Sequence, residues 1–205
     1  MKELKLDCVN CFISGWFIDE KICDGVVSFF EESPDKKEGV LGYNYVDKSK
    51  KDSTDVIVNP KNPDIRVQNY LDNLSLVCDL YIKKFPHCSN NHSVWGLNTN
   101  FNLQRYLPGQ GFKNFHSERT SFADLIPMRH LVWMTYLNDV NDAGETEWYH
   151  QNLKIKPEKG LTLIWPVDWT YLHRGIPSQT ETKYIVTGWY TYFIPDFDYD
   201  SFNTL

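Results

Sequence analysis

The residues best equipped for chemistry in this sequence are His116, Glu118 and His173. His116-Ser117-Glu118 puts an imidazole and a carboxylate two positions apart. On an extended segment such positions share a face, so the two groups project together. His173 adds a second imidazole from a later strand-like stretch. Two imidazoles and one carboxylate form a facial ligand set for Fe(II) that leaves coordination positions open. An H-x-E triplet also arises by chance, and a histidine on a strand is more often an ordinary surface or core residue. The triplet alone therefore leaves both readings standing.

The last strand candidate bears on the same question. In Lys183-Tyr184-Ile185-Val186-Thr187-Gly188-Trp189-Tyr190 the odd positions share one face, which carries Lys183, Ile185, Thr187 and Trp189. A buried lysine is costly unless it meets an anion. An inward Lys183 with Thr187 beside it would suit a carboxylate ligand. The opposite orientation, with Lys183 in solvent and Tyr184, Val186 and Tyr190 in the core, fits the pattern equally well.

These residues need elements to position them. Phe17 to Glu32 reads as an amphipathic helix on the spacing of Phe17, Ile18, Ile22, Val26, Phe29 and Phe30, ended by Ser33-Pro34-Asp35. A polar stretch from Asp47 to Asp55 follows, and Pro60 and Pro63 mark a loop. Asp64 to Phe85 reads as a second helix, stopped by Pro86. Strand candidates then follow in series: Leu97–Leu107, His130–Leu137, Glu145–Tyr149, Leu161–Trp165 and Lys183–Phe193. Short strands without regular intervening helices predict an all-β sandwich or barrel with the helices packed outside. The texture divides at about residue 93: residues 1–93 form a helical and loop region, residues 94–205 the barrel, and the two make one structural domain.

Composition bounds the partners. The 205 residues carry a net charge of −6, which disfavours a nucleic-acid binder. No apolar run approaches the roughly 20 residues of a membrane span. Asp7 interrupts the place where a signal peptide needs apolar residues, so a cytoplasmic protein is expected. The aromatic share of 15% favours strands and ring-lined pockets. Five cysteines, all within the first 88 residues, are no secreted disulfide framework. Cys8 and Cys11 have the spacing of half a zinc site, but ordinary thiols are the simpler reading.

A family resemblance joins these fragments. Tyr106-Leu107-Pro108-Gly109-Gln110-Gly111-Phe112 followed by His116-Ser117-Glu118 resembles the Y-x-P-G…H-x-(D/E) run of the prolyl 4-hydroxylase-like dioxygenases, which depend on Fe(II) and 2-oxoglutarate. Tyr136-Leu137-Asn138 resembles their YLN strand end, and Gly144-Glu145-Thr146 their GGET turn. Pro157 through Gly160 to Trp165-Pro166 resembles their P-x-x-G…F-P strand pair. His173-Arg174-Gly175 and Lys183, ten residues beyond His173, complete the order. The similarity spans Leu103 to Phe193 and extends to compact versions found in marine bacteria and their phages. Two departures stand out: Glu118 replaces the more common Asp, and Ala143 replaces a turn glycine, with Trp148 in place of Phe.

The resemblance implies a mainly β protein built on a double-stranded β-helix, a cupin-like jelly roll. It implies His116, Glu118 and His173 as iron ligands. It implies Lys183 paired with the distal carboxylate of 2-oxoglutarate, assisted by Tyr136 and Thr187, with Tyr106 and Trp189 lining that pocket. Hydroxylation of a C–H bond with release of succinate and CO2 is the expected activity, with ascorbate as an accessory reductant. A prolyl peptide or a small amino-acid-like molecule is the expected substrate. Lys51-Asp52-Ser53-Thr54-Asp55, Trp95 and Arg119 are weak candidates for reading it, more simply taken as solvated loop or packing residues. A non-catalytic metal- or ligand-binding cupin-like barrel is the alternative. The C-terminal arginine pattern of AlkB-like nucleic-acid demethylases, which share the barrel, is absent.

Overall fold

The computed structural model describes residues 1–8, 11–41, 45–122 and 125–204. Strand β1 (Ser14–Phe17) precedes helix α1 (Glu20–Glu32). Short strands β2 (Lys37–Glu38), β3 (Lys51–Asp52) and β4 (Thr54–Val58) lead to the long helix α2 (Ile65–Lys84). The remainder is mostly sheet: β5 (Trp95–Gly96), β6 (Phe101–Tyr106), β7 (Gly111–Phe112), β8 (Arg129–Tyr136), β9 (Thr146–Trp148), β10 (Leu153–Ile155), β11 (Leu161–Pro166), β12 (His173–Gly175) and β13 (Lys183–Tyr192). A short helix, α3 (Tyr199–Phe202), follows.

Both long helices begin at an aspartate cap. Asp19 is extended and accepts a 2.9 Å hydrogen bond from the Lys21 amide. Asp64 does the same for the Arg66 amide at 2.8 Å. Each cap satisfies one of the amides a helix start leaves orphaned. The first helix thus starts at Glu20 rather than Phe17. Phe17 fits the helical spacing but is instead the last residue of β1, opposite Leu161 of β11. The second helix runs as expected to the turn before Pro86, whose ring cannot continue it.

The principal sheet has the order β1-β11-β8-β13-β6-β4-β2, with β5 also on β13, and every pair is antiparallel. A smaller sheet is ordered β10-β9-β12, and β3 pairs with β7. Strand alternation divides the apolar residues between two cores. Leu131 and Trp133 of β8, Leu103 of β6 and Val186 and Tyr190 of β13 pack with Phe30, Tyr70, Leu74 and Val77 of the helices. The intervening Val132, Met134 and Tyr136 pack instead with Trp148 of β9 and Ile155 of β10 from the smaller sheet, and with Ile185. The architecture is therefore helices on one face of the large sheet and the small sheet on the other. Each fully buried side chain of this size contributes roughly 1.5–3 kcal/mol. The Tyr70 hydroxyl reaches Thr135 at 2.8 Å, and Thr135 reaches Thr162 at 2.8 Å, so the helix layer meets β8 and β11 through satisfied polar groups.

Candidate active site

His116 and His173 face each other across a single antiparallel bridge. The His116 amide donates to the His173 carbonyl and the His173 amide to the His116 carbonyl, both at 2.9 Å. Glu118, two residues on, is fixed by its own amide to the Val167 carbonyl at 3.1 Å. The result brings one atom of each residue within 4.8 Å of the others. Glu118 Oε1 lies 3.5 Å from His116 Nε2 and 3.4 Å from His173 Nε2. Among the described residues this is the cluster of His, Cys, Asp and Glu able to hold a metal ion.

The far side of each ring decides its tautomer. His116 Nδ1 is 3.0 Å from the Asn114 carbonyl and His173 Nδ1 is 2.9 Å from the Tyr171 carbonyl. A carbonyl only accepts, so each Nδ1 carries a proton, and Nε2 is the nitrogen that the neutral ring leaves to coordinate a metal. Neutral imidazoles with backbone-anchored Nδ1 are the form in which histidine binds a metal. Phe112 stacks on His116 with ring centroids 3.6 Å apart, and Trp165 meets His173 edge-on at 5.2 Å, so both rings are held in place. Burial, and then the neighbouring His173, push the His116 pKa down. Burial alone would raise Glu118, yet hydrogen bonds and charge from His116 and His173, which act when those rings are protonated, hold the carboxyl well below its usual range. The donor set, two imidazoles and one carboxylate, suits Fe(II).

The cluster opens into a cavity of about 530 Å³. The inward face of β13 supplies Lys183, Ile185, Thr187, Trp189 and Thr191 to its wall, and Tyr106 lines it as well. The orientation that strand pattern left open is thus the inward one. Lys183 is 4% exposed, its ammonium donates to the Gly144 carbonyl at 2.9 Å, and it lies 5.3 Å from the Tyr106 ring centroid. Burial pushes its pKa down to about 8, while the charge of Glu145 works in the opposite direction. The Thr187 hydroxyl donates to the Trp133 carbonyl at 3.1 Å. Tyr136 is fully buried, and its hydroxyl lies 2.6 Å from Thr146 Oγ1 and 3.2 Å from the Ile155 carbonyl.

The polar run Lys51 to Asp55, which spans β3 and the start of β4, differs from its reading as a solvated loop. Lys51 and Asp55 are 5% and 6% exposed, joined at 2.7 Å, and line the cavity. Ser53 and Gln104 also donate to Asp55, and the Tyr106 hydroxyl donates to Gln104 at 2.7 Å. The pair is buried because β6 brings Gln104 beside β4, a long-range partner that a local charge pattern does not show. Trp95 is half-buried on the helix side, against Tyr190. Arg119 is paired with Asp168. Arg129 was not singled out in the sequence. It reaches the Glu118 carbonyl at 2.8 Å and stacks on Trp189.

Residues 101–191 match the family model described as 2OG-Fe(II) oxygenase superfamily, which covers β6 through β13 and all three clustered residues. No curated protein matches the chain. Solved structures do. A viral collagen prolyl hydroxylase from Paramecium Bursaria Chlorella virus-1 is 19% identical, with TM-score 0.64, covering 92% of this chain and 100% of that one. A prolyl-4-hydroxylase from Pseudomonas putida is 13% identical, with TM-score 0.66, over 90% of this chain and 95% of its own. A prolyl hydroxylase from Trichoplax adhaerens, solved with a hypoxia inducible factor peptide, is 18% identical, with TM-score 0.69, over 89% and 84%. At such identities the likeness shows the fold, the double-stranded β-helix expected from the sequence.

Proposed function

We propose that the chain is a 2-oxoglutarate-dependent non-haem iron dioxygenase, similar to the prolyl 4-hydroxylases, that hydroxylates a C–H bond of a prolyl peptide or a small amino-acid-like substrate. In this reading His116, Glu118 and His173 are the iron ligands. The observation that carries it is the convergence of two imidazole nitrogens and one carboxylate oxygen beside a cavity with a buried, inward-facing ammonium. These three residues would hold Fe(II), which would supply O2 activation coupled to decarboxylation of 2-oxoglutarate, with succinate, CO2 and a hydroxylated substrate as the products.

The protein's own residues bind and orient. Lys183 holds the far carboxylate of 2-oxoglutarate as a point charge, a role that needs no bidentate geometry. Thr187, on the same face of β13, supplies a hydroxyl that turns from the Trp133 carbonyl to that carboxylate. Tyr106 and Ile185 form the wall and exclude water. Tyr136 assists indirectly, through Thr146, which also lines the cavity. The prolyl substrate is favoured by the named substrates of structurally similar enzymes, among them the Trichoplax enzyme solved with a peptide.

Mass spectrometry of candidate substrates after incubation with Fe(II), 2-oxoglutarate and O2, with and without ascorbate, tests this. Gain of one oxygen on a proline-containing peptide, matched by succinate, is expected. Oxygen gain on free amino acids alone would move the substrate to the small-molecule arm. Succinate release without any dependence on His116 or His173 would refute the ligand assignment.

A further inference from the structure

Glu118 is the point where this sequence departs from the more common aspartate, and its two carboxylate oxygens have different surroundings. Oε1 faces the two imidazoles at 3.4 and 3.5 Å. Oε2 faces away and accepts a 3.0 Å hydrogen bond from Trp189 Nε1. Arg129 Nη1 lies 3.5 Å from the same oxygen and donates to the Glu118 carbonyl at 2.8 Å. The Arg129 guanidinium in turn lies over the Trp189 ring, 3.5 Å from its centroid. The three side chains thus form one stacked unit, with the carboxylate at its end.

We propose that Trp189 and Arg129 are positioning residues that hold Glu118 to one-oxygen metal ligation, and that this clamp is what lets the longer side chain serve in place of aspartate. The inference rests on the ligand reading above. Glutamate has one more rotatable bond than aspartate, and an unrestrained carboxylate can bind a metal through both oxygens. Two imidazoles and a two-oxygen carboxylate would occupy four of six octahedral positions. The chelating 2-oxoglutarate would fill the other two and leave none for O2. A hydrogen-bonded Oε2 keeps the third position open. The indole N–H only donates, so it suits an ionised carboxylate oxygen, and the stacked guanidinium adds positive charge on the same side.

The test uses metal-free full-length protein titrated with Co(II), whose visible band reports coordination. Trp189→Phe removes the N–H and keeps a ring beneath Arg129. The clamp predicts a shifted and weaker Co(II) band, because the freed Oε2 adds a donor to the metal and raises its coordination number. In a Glu118→Asp background the carboxylate is a methylene shorter and is drawn away from the indole, so the same Trp189→Phe change should leave the band where it is. An unchanged band in Trp189→Phe, or the same change in both backgrounds, would overturn the clamp. If Trp189→Phe does not fold, Arg129→Gln read in the same two backgrounds decides. No Co(II) binding by the parent protein would remove the metal site itself, and the clamp with it.

Discussion

Replacing Lys183 with methionine should separate cosubstrate binding from metal binding. The lysine is 4% exposed, and its pKa falls from 10.5 to about 8 because burial penalises the charge. That drop corresponds to about 3 kcal/mol held against the ammonium in the empty pocket. An arriving carboxylate relieves it. Removing one partner of such a buried charged pair costs about 2–4 kcal/mol, so 2-oxoglutarate should bind Lys183→Met roughly 30- to 800-fold more weakly. Metal affinity should change little, because no ligand touches the ammonium. The pH dependence supplies a second signature. In the parent protein the free ammonium is lost above about pH 8, so 2-oxoglutarate affinity should fall about tenfold per pH unit beyond that point. Lys183→Met should be flat there. The groups facing Lys183 are Glu145, which favours the charge, and the Tyr106 ring. Stability should move the other way. The folded-state pKa is depressed, so the burial cost is fully present below pH 8 and is relieved as pH rises toward 10.5. Without ligand at pH 7, Lys183→Met should melt no lower than the parent, and higher if the full cost is relieved. Calorimetric titration of metal and of 2-oxoglutarate across pH 7–10, with melting curves, reads all of this. Parallel loss of both affinities, or unaltered 2-oxoglutarate binding, would refute the reasoning.

The other predictions concern the ligands, the buried pair and one turn. His116→Ala and His173→Ala should each abolish stoichiometric metal binding and coupled turnover while leaving the fold intact, as equilibrium metal titration and circular dichroism would show. Asp55→Ala should destabilise by about 3–5 kcal/mol in urea unfolding, because Lys51 is left charged and buried without its counterion. Gly160→Ala should cost about 2 kcal/mol or more by the same assay. Its φ is +85°, and a Cβ there would sit 2.5 Å from the Ile18 carbonyl oxygen.

The strands that build the site were legible because alternation and length are local properties. Lys183–Phe193 was expected and Lys183–Tyr192 is observed; His130–Leu137 was expected and Arg129–Tyr136 is observed. His116 and Glu118 could be placed on one face by the period of a strand alone. Long-range pairing was less visible. Phe17 carries an apolar pattern that serves a helix or a strand, and only β11 decides between them, although Asp19 is a cap signal that marks the boundary. Lys51 to Asp55 reads as a solvated run until Gln104 and the loop before β3 close around it. Trp189 was assigned to the cosubstrate wall by resemblance. Its hydrogen bond to Glu118 joins residues 71 apart, and no spacing rule announces it.

The most direct test of the central claim is an anaerobic titration, first with Fe(II) and then with 2-oxoglutarate, followed in the visible. The account predicts a charge-transfer band that needs both components, is absent in His116→Ala and His173→Ala, and in Lys183→Met appears only at much higher 2-oxoglutarate. A folded parent protein that binds Fe(II) and 2-oxoglutarate yet gives no band would contradict it, because the cosubstrate would then not be chelating a metal held by His116, Glu118 and His173.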